Sequence, residues 1–391
     1  MHARAYLDHN ATSPLRAEAR AAMLDLLDAP GNPSSVHAEG RAARARVERA
    51  REEVAALCGA PRAGVVFTSG ATEANALVLH PHLDIAGRPV SCDVLLTNAA
   101  EHLSVLRGHR FAPEAVELLP VDAEGRIRLD ALEDALARHG REGRRALVSL
   151  MAANNETGVV QPVAEAARLA AVHGAITHCD AVQAAGRLPL DPDALPVDFL
   201  TLSAHKLGGP QGAGALVARH ADSRVRAALI PGGGQERGRR GGTENVAAIV
   251  GFGAAAAAAR EGRDAEAARL SGLRDRLEQE IVRRIQEARI VGGGAQRLPN
   301  TSCVIFAGLK AETLVIALDL AHVSVSAGSA CSSGKVGASH VLTAMGFPPE
   351  AAGAAIRFSL GWSSTPEDVD LALAALERVV PQVRSRAARA A

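Results

Sequence analysis

The sequence predicts an α/β fold, with a large domain around a mostly parallel sheet and a smaller α+β domain. Two observations support this prediction. Between about residues 65 and 218, short apolar runs typical of buried strands alternate with segments of helical periodicity. The length of 391 residues also favours two domains over one. Because ligands of a parallel sheet bind beyond the carboxyl ends of its strands, functional side chains are expected there.

Composition limits the classes of partner. Hydrophobic residues make up 48% of the chain, enough for a large core, while aromatic residues make up only 2%, so that core consists of Ala, Val, Leu and Ile. The formal net charge of +0 gives no electrostatic reason to expect nucleic acid or a membrane surface as a partner. No segment has the pattern of a signal peptide or a membrane span, and a cytoplasmic location is expected.

The cysteines show no C-x-x-C spacing, so the sequence predicts neither a metal site nor a disulfide framework. Each cysteine therefore has to be judged by its own surroundings. They are Cys58, Cys92, Cys179, Cys303 and Cys331.

The chain begins with a predicted strand at residues 6–8 and a capped turn, followed by helices over residues 15–27 and 41–57. A polar loop joins the two helices. Its composition favours a plain connection over a substrate contact.

From Val65 the pattern becomes strand, turn and helix, with the turn at residues 69–73. Small residues that open a helix leave free N–H groups at a positive dipole end, which suits a phosphate. Many α/β connections look alike and bind nothing, so this turn alone does not decide between a phosphate site and a plain connection.

Polar side chains follow the next predicted strands. These strands are 94–97, 146–150, 175–179 and 198–202. Since the carboxyl ends of parallel strands lie at one edge, a single crevice can collect the polar residues that follow them. They are His102, Asn155, Asp180, Gln183 and Lys206.

Lys206 ends the tetrapeptide Ser203-Ala204-His205-Lys206, directly after a buried strand. A lysine in this position, with hydroxyl and imidazole neighbours, can hold a carbonyl cofactor as a Schiff base. A lysine at a strand end is more often an ordinary surface lysine. Both interpretations stay open on the tetrapeptide alone.

The last part of the large domain is rich in glycine and arginine. After a strand at 213–218, the composition of residues 231–243 predicts a flexible basic surface loop. Residues 246–260 predict a buried helix that links the two domains. The smaller domain then begins with a separate charged helix from about 263 to 287 and includes strands near 302–306 and 356–360.

Ser326 to Ser339 consists almost entirely of Ser, Ala and Gly, with Cys331 near its centre. A segment with so few large side chains cannot pack against itself, which predicts a mobile loop. Free cysteines are usually buried and inert, but a cysteine in an exposed loop is accessible to react. Cys331 is therefore either a nucleophile or an ordinary thiol.

Six blocks of residues occur in one order along the chain. They are 69–73 (SGATE), 101–102 (EH), 154–156 (NNE), 180–183 (DAVQ), 203–206 (SAHK) and 328–333 (GSACSS). Together they resemble the cysteine desulfurases of the NifS and IscS type, in the class V aminotransferase family of pyridoxal-phosphate enzymes. The resemblance runs from Tyr6 to Gly361, nearly the whole chain.

This resemblance implies the type I aminotransferase fold, with a seven-stranded, mostly parallel sheet. It places a large cofactor-binding domain at residues 14–258. Residues 1–13 and 259–391 would form a small domain, which carries the mobile catalytic-cysteine loop at about 326–339.

The resemblance also assigns the groups that contact the cofactor ring. Lys206 would form the Schiff base with pyridoxal 5′-phosphate and move the substrate Cα proton. Asp180 would face the pyridine nitrogen and Gln183 the ring hydroxyl. His102 would lie on the ring face and move protons at the substrate sulfur.

Further residues would hold the phosphate and the substrate. Thr72, Ser203 and His205 would hold the phosphate, and Thr243 would reach it from the neighbouring subunit of a homodimer. Ala71 would also contact the cofactor. Asn155 would contact both cofactor and substrate, and Arg357 would bind the substrate carboxylate by a two-point contact. Cys331 would accept the sulfur.

The implied activity is the removal of sulfur from L-cysteine, which yields L-alanine and a persulfide on Cys331. The sulfur would pass to an iron–sulfur scaffold or another sulfur carrier. Ala100 departs from the family pattern, which should change only local hydrogen bonding. Residues 334–339 also depart from it, which leaves the choice of acceptor open. Alternatives are a selenocysteine lyase, another class V aminotransferase, and a catalytically inactive adaptor of sulfur-relay proteins.

Overall fold

The structure, a computed structural model, describes residues 4–328 and 338–390, with side chains up to residue 385. The strands in chain order are β1 (Ala5–Tyr6), β2 (Val65–Thr68), β3 (His82–Ile85), β4 (Arg88–Ser91), β5 (Val94–Asn98), β6 (Val116–Leu119), β7 (Ala146–Met151), β8 (Ile176–Asp180), β9 (Phe199–Ser203), β10 (Gly214–Ala218), β11 (Arg224–Val225), β12 (Ala288–Ile290), β13 (Thr301–Phe306), β14 (Val323–Ser324), β15 (Ser326–Ala327) and β16 (Ala355–Ser359).

Eleven α-helices of the described residues pack around the sheets. In chain order they are α1 (Ala17–Leu27), α2 (Ala38–Leu57), α3 (Ala71–Val78), α4 (Leu103–Leu106), α5 (Leu129–Arg141), α6 (Val163–Val172), α7 (Val246–Arg284), α8 (Ala311–Leu320), α9 (His340–Ala344), α10 (Pro349–Ala352) and α11 (Pro366–Ala390). No helix in these described ranges is both long and apolar enough to cross a bilayer.

In the described part of the chain, seven strands form the large sheet, in the order β2-β10-β9-β8-β7-β5-β6. Strands β9, β8, β7, β5 and β6 pair in parallel, whereas β10 runs antiparallel to both neighbours. The predicted mostly parallel sheet is confirmed. All residues of β5 and of β7 to β10 are buried, because helices cover both faces.

The strand register brings the carboxyl ends of the central strands to one edge. Asp180, the last residue of β8, pairs with Met151 of β7 on one side and with Thr201 of β9 on the other. The connections that leave β7, β8 and β9 therefore start side by side, although they lie far apart in sequence.

The two largest of the four hydrophobic cores in the described residues belong to the large sheet and to the antiparallel sheet β12-β13-β16-β15. The large-sheet core packs α2, α5, α6 and the start of α7 on the sheet and includes Leu96, Leu200 and Phe252. The small-sheet core lies beside the antiparallel sheet β12-β13-β16-β15 and includes Leu7 and Phe306. We propose that the division between the two domains falls as the sequence predicts, near residue 258.

One continuous helix connects the two cores, so the prediction of two separate helices before and after residue 260 was wrong. Helix α7 has 39 residues, or about 58 Å. Its first half packs in the large-sheet core and its second half in the small-sheet core. The charged residues in the middle of α7 suggest the end of one helix and the start of another. Glu266 instead pairs with Arg16, and Arg269 donates to the carbonyl of Ser364, and these contacts stabilise the stretch as helix.

The glycine- and arginine-rich segment 231–243 is anchored, contrary to the predicted flexible surface loop. Glu236 is buried and accepts two hydrogen bonds of 2.7 Å from the Arg51 guanidinium of α2. Its carboxylate also accepts from the backbone N–H of Phe67 at 3.0 Å. Arg239 donates to the carbonyls of Ala63 and Val65. Charges that suggest solvent exposure are here paired inside the protein.

Replacing Glu236 tests this anchor. Glu236→Gln should lower the free energy of unfolding by about 2–3 kcal/mol, because it leaves the buried Arg51 with only the partly exposed Glu48 as counter-charge. Urea unfolding curves provide the measurement. The control Glu280→Gln removes a carboxylate from an exposed cluster with Arg283 and Arg284 and should leave the curve nearly unchanged. Equal changes in the free energy of unfolding for both variants would show that the buried pair of Glu236 and Arg51 stabilises the fold no more than an exposed ion pair does.

Candidate active site

A cavity of about 570 Å³ lies at the carboxyl edge of the large sheet. The predicted site residues that line it are Ala71, Thr72, His102, Asn155, Asp180, Gln183, Ser203, His205, Lys206 and Arg357. The fold thus collects side chains from every predicted block except the last. Thr243 is absent from this lining, and Cys331 lies outside the described residues.

Asp180 is fixed by two hydrogen bonds. Its Oδ2 accepts from Asn75 Nδ2 at 2.8 Å, and its Oδ1 accepts from the backbone N–H of Val182 at 3.1 Å. Asn75 is fully buried on α3 and also donates to Ser104 Oγ at 2.9 Å. Sequence analysis missed Asn75, although an asparagine on the apolar face of a helix that follows a candidate phosphate turn is a usable signal. The carboxylate has one orientation and lines the cavity.

His102 is held as a neutral ring with a defined tautomer. It caps the N-terminus of α4, where its Nδ1 accepts from the backbone N–H of Ser104 at 3.1 Å. Burial lowers the pKa of His102, and the charge of Lys206 adds to this, while Asp180 opposes it. Because Nδ1 serves as an acceptor, we assign the proton of the neutral ring to Nε2.

Lys206 lies in a single turn of 3₁₀-helix directly after β9. Its Nζ donates to the carbonyls of Asn10 at 2.6 Å and Ala11 at 2.8 Å. Next to it, His205 Nδ1 lies 3.2 Å from Thr12 Oγ1. The N-terminal segment therefore forms one wall of the cavity, a role that the sequence alone did not indicate.

Arg357 is a buried cation at the side of the cavity nearest the small sheet. Its Nη1 donates to the carbonyl of Asn155 at 3.0 Å, and its Nη2 pairs with the Asp8 carboxylate at 2.7 Å. The Nε–H has no hydrogen-bond partner within residues 4–328 and 338–390. Because Arg357 also lines the cavity, its guanidinium favours the binding of an anionic group such as a carboxylate there.

The start of α3 supplies a possible phosphate cradle. Gly70 precedes the helix, and the first backbone N–H groups have no partner within the helix itself. Glu73 fixes this turn, since it accepts from the Ser69 N–H at 2.8 Å and pairs with Arg240 at 2.9 Å. A Cβ on Gly214 would lie only 2.6 Å from the carbonyl carbon of Gly70, so close packing against β10 requires glycine there.

Thr243 lies in a second cavity of about 220 Å³, which shares Ser69 and Gly212 with the first. Its side chain is exposed. Within one subunit it is thus next to the turn that opens α3 but does not line the cavity of Lys206.

The predicted mobile segment is ordered at both ends. Ser326 and Ala327 form β15, paired with β16, and Ser339 caps α9. Residues 329–337, with Cys331, lie outside the described residues. Both ends lie close to the buried carboxyl group of Glu156. Ser339 Oγ donates to Oε2 at 2.5 Å, and a Cβ added to Gly328 would lie 3.2 Å from the same oxygen. The sequence singled out Glu156 only as part of a block.

Comparisons with known proteins identify the family. The sequence profile of class-V aminotransferases matches residues 5–372, and the chain belongs to that family. The chain is 45% identical over 388 residues to a cysteine desulfurase of Cereibacter sphaeroides. This match covers 98% of this chain and 97% of that protein. It is 40% identical over 387 residues to the cysteine desulfurase IscS of Dictyoglomus turgidum, with 97% and 95% covered.

A solved structure agrees in fold. The NifS-like protein from Rickettsia africae superposes with a TM-score of 0.86 at 33% identity, over 97% of this chain and 100% of that chain. The type I aminotransferase architecture expected from the sequence is confirmed.

Proteins of this family use pyridoxal 5′-phosphate, which is therefore the cofactor of this chain. The cavity fits this group chemically. It offers a fixed carboxylate for the pyridinium nitrogen, a lysine amine for the aldehyde, and a helix N-terminus with Thr72 and Ser203 for the phosphate. The Arg357 guanidinium, which also lines the cavity, would remain for a substrate carboxylate.

Glu156 makes stability depend on pH. Burial raises the pKa of Glu156 from its ordinary 4.5 to about 7, and this outweighs the opposing hydrogen bond from Ser339 and the charge of Arg357. Because the folded pKa is the higher one, the contribution of this carboxyl group is complete below about pH 4.5 and is lost as pH rises through about 7. Glu156→Gln cannot ionise and escapes that loss.

Between about pH 5 and about pH 8, wild type should therefore lose about 2.5 kcal/mol of unfolding free energy relative to Glu156→Gln, as measured by urea unfolding across that range. Glu165→Gln, at an exposed position of α6, should follow wild type. A constant difference between wild type and Glu156→Gln at every pH would contradict the shifted pKa.

Proposed function

We propose that the chain is a cysteine desulfurase, which takes sulfur from L-cysteine, releases L-alanine and carries the sulfur as a persulfide on Cys331. The observation that supports it most is the cavity in which Lys206, Asp180, His102 and Arg357 meet. Relatives of nearly the same length, at 40–45% identity, are named cysteine desulfurases.

The roles of the residues follow from their contacts. Bound pyridoxal phosphate supplies an electron sink next to the substrate Cα. Asp180 keeps the pyridine nitrogen protonated, and its hydrogen bonds to Asn75 and Val182 hold it in position for this. Lys206 attaches the cofactor and, once released, moves the proton at the substrate Cα.

The substrate is oriented by its two ends. Arg357, which lines the cavity beside Asn155, binds the substrate carboxylate. His102 presents Nε2–H to the substrate sulfur, because its Nδ1 is occupied by the backbone of Ser104. A neutral imidazole of this kind can both donate and take back a proton near neutral pH.

Cys331 then receives the sulfur. Its thiolate attacks the substrate sulfur, the new S–S bond forms and the C–S bond breaks, and the electron pair remains on the carbon fragment, which is protonated to L-alanine. The other cysteines support this assignment by exclusion. Cys58, Cys92, Cys179 and Cys303 are buried. Burial raises the pKa of Cys58, Cys92 and Cys303 to about 12 and also raises the pKa of Cys179, which disfavours a thiolate at neutral pH.

Two further proposals concern the cellular location of the protein and the acceptor of its sulfur. The cysteines of the described residues are free thiols, as in a reducing cytoplasm. We propose that the persulfide passes to an iron–sulfur scaffold or another sulfur carrier, in keeping with a relative named IscS.

The desulfurase proposal is tested with L-cysteine and intact-mass spectrometry. Wild type should release alanine and gain one sulfur on Cys331. Cys331→Ser should gain none and release alanine at least about tenfold more slowly, because the acceptor of the sulfur is gone. Cys92→Ser, which removes a buried thiol, should behave as wild type.

Other results would favour the alternatives. Keto-acid formation without a persulfide would identify an aminotransferase, and alanine release unaffected by Cys331→Ser would favour a lyase that acts best on selenocysteine. A purified chain that takes up no pyridoxal phosphate would leave only the inactive adaptor.

We further propose a homodimer in which Thr243 completes the phosphate site of the partner subunit. Its exposed position outside the Lys206 cavity, on a segment anchored by Glu236, supports this. Lys206→Ala and Thr243→Ala should each lower activity. If Thr243 acts across the interface, a mixed dimer of the two variants contains one intact site.

Mixing and refolding the two variants should therefore restore alanine release, toward half of the wild-type rate per mixed dimer. Each variant refolded alone provides the control. No recovery in mixed dimers verified by mass spectrometry would place Thr243 and Lys206 in the same site of one subunit, and would contradict the proposal.

A further inference from the structure

A buried arginine lies directly behind Gln183. Arg187 belongs to the turns that follow β8 and is 8% exposed. Its Nη1 donates to the Gln183 carbonyl at 2.8 Å and to Gln183 Oε1 at 2.7 Å. Arg187 itself does not line the cavity, whereas Gln183 does.

The charge of Arg187 has no direct counter-ion. Within the described ranges, no carboxylate forms an ion pair with it, and its hydrogen bonds go only to neutral oxygens. Glu266 is the acidic group that favours its charge, but that carboxylate is already paired with Arg16 at 3.0 Å. Burial lowers the pKa of Arg187 to about 10, so the side chain remains cationic at neutral pH.

The surroundings of Arg187 are electropositive. Arg16 and Arg357 both act on it with like charge. His9 stays neutral, because burial lowers its pKa to about 3 and the charges of Arg187 and Arg16 add to that effect. A buried cation without a counter-charge is costly. Its presence beside a ligand cavity is explained if the ligand brings a negative charge to that wall.

Arg187 also decides which way the Gln183 amide points. An amide can bind in two flipped orientations, and Oε1 faces Arg187 because the guanidinium offers only donors. The amide nitrogen then faces the other side, where it donates to the Asn10 carbonyl at 3.2 Å. Because Gln183 lines the cavity, the second N–H of this amide can donate to a ligand there.

We propose that Arg187 is a positioning residue, which orients the Gln183 N–H toward the ring oxygen of pyridoxal phosphate and supplies the positive charge that stabilises this oxygen as an anion. The inference rests on the proposed placement of Gln183 at that oxygen. It predicts that Arg187 lowers the pKa of the bound cofactor, so that the deprotonated form persists to a lower pH than it would without Arg187.

The test is a pH titration of the visible absorption band of the holoenzyme, without substrate. Arg187→Met removes both charge and donors and should move the midpoint upward by about one pH unit or more, with about tenfold weaker cofactor binding. Arg187→Gln keeps a donor but not the charge and should shift the midpoint less than Arg187→Met. Arg187→Lys keeps the charge and should lie nearest to wild type.

Arg219→Met is the matched control. Arg219 is a half-buried arginine whose guanidinium likewise donates only to oxygens without charge, the carbonyls of Cys58, Leu190 and Leu195. It lies outside the cavity lining, so its loss should change stability but not the midpoint.

A midpoint of Arg187→Met equal to that of wild type would overturn the inference. If Arg187→Met yields no folded holoenzyme, Arg187→Gln decides by the same measurement. The titration needs no turnover, which separates the two proposals. A chain that shows the shift but makes no alanine from L-cysteine would overturn the desulfurase proposal and support the role of Arg187.

Discussion

The site depends on one buried asparagine of the N-terminal segment. Asn10 is 1% exposed, and its carbonyl accepts hydrogen bonds from Lys206 Nζ at 2.6 Å and from Gln183 Nε2 at 3.2 Å. Its side-chain amide donates to the carbonyl of Asn155 at 3.2 Å and to Thr301 Oγ1 at 2.9 Å. Asn10 thus joins three residues that follow strands of the large sheet to Thr301 in β13 of the antiparallel sheet β12-β13-β16-β15. We infer that the cavity forms only when the large-sheet core and the small-sheet core have both folded.

Around that point, the charged and polar groups of the cavity each have a fixed hydrogen-bond partner. Asp180 is fixed by Asn75, His102 by Ser104, and Arg357 by the Asp8 carboxylate. These contacts settle orientation and protonation before any ligand arrives, which is the physical requirement for proton transfer at a defined atom. The parallel sheet provides the rigid frame, because its register places the ends of β7, β8 and β9 at one edge.

The sequence predicted the parts of the molecule that depend on local pattern. Buried parallel strands are continuous apolar runs, and polar residues at their ends line the cavity where expected. Contacts across long sequence distances were not predictable. The segment around Glu236 looks like a solvent loop until Arg51, 185 positions away, is known to pair with it. A separate three-stranded sheet of β11, β3 and β4 was not predicted, because its strands are short and carry charges such as Asp84 and Arg224.

In the site, too, local pattern predicted some residues, whereas those that act through contacts distant in sequence were not predicted. Motif residues such as Lys206 and Asp180 were found because they follow strands, whereas Asn75 and Arg187 were not, since their importance lies in what they support. The role of Asn10 depends on partners from four separate stretches of the chain, and no window of sequence contains them. Resemblance to a family carries over the residues that touch the cofactor better than the residues that orient them.

The most direct test of the cavity as a cofactor site is borohydride reduction of the purified holoprotein, followed by peptide mass spectrometry. The chain contains only three lysines, Lys206, Lys310 and Lys335, so the assignment has few alternatives. We expect one reduced pyridoxyl phosphate group on the peptide that contains Lys206 and none on the other two. Labelling at Lys310 or Lys335, or cofactor uptake with no reducible link at Lys206, would contradict the site.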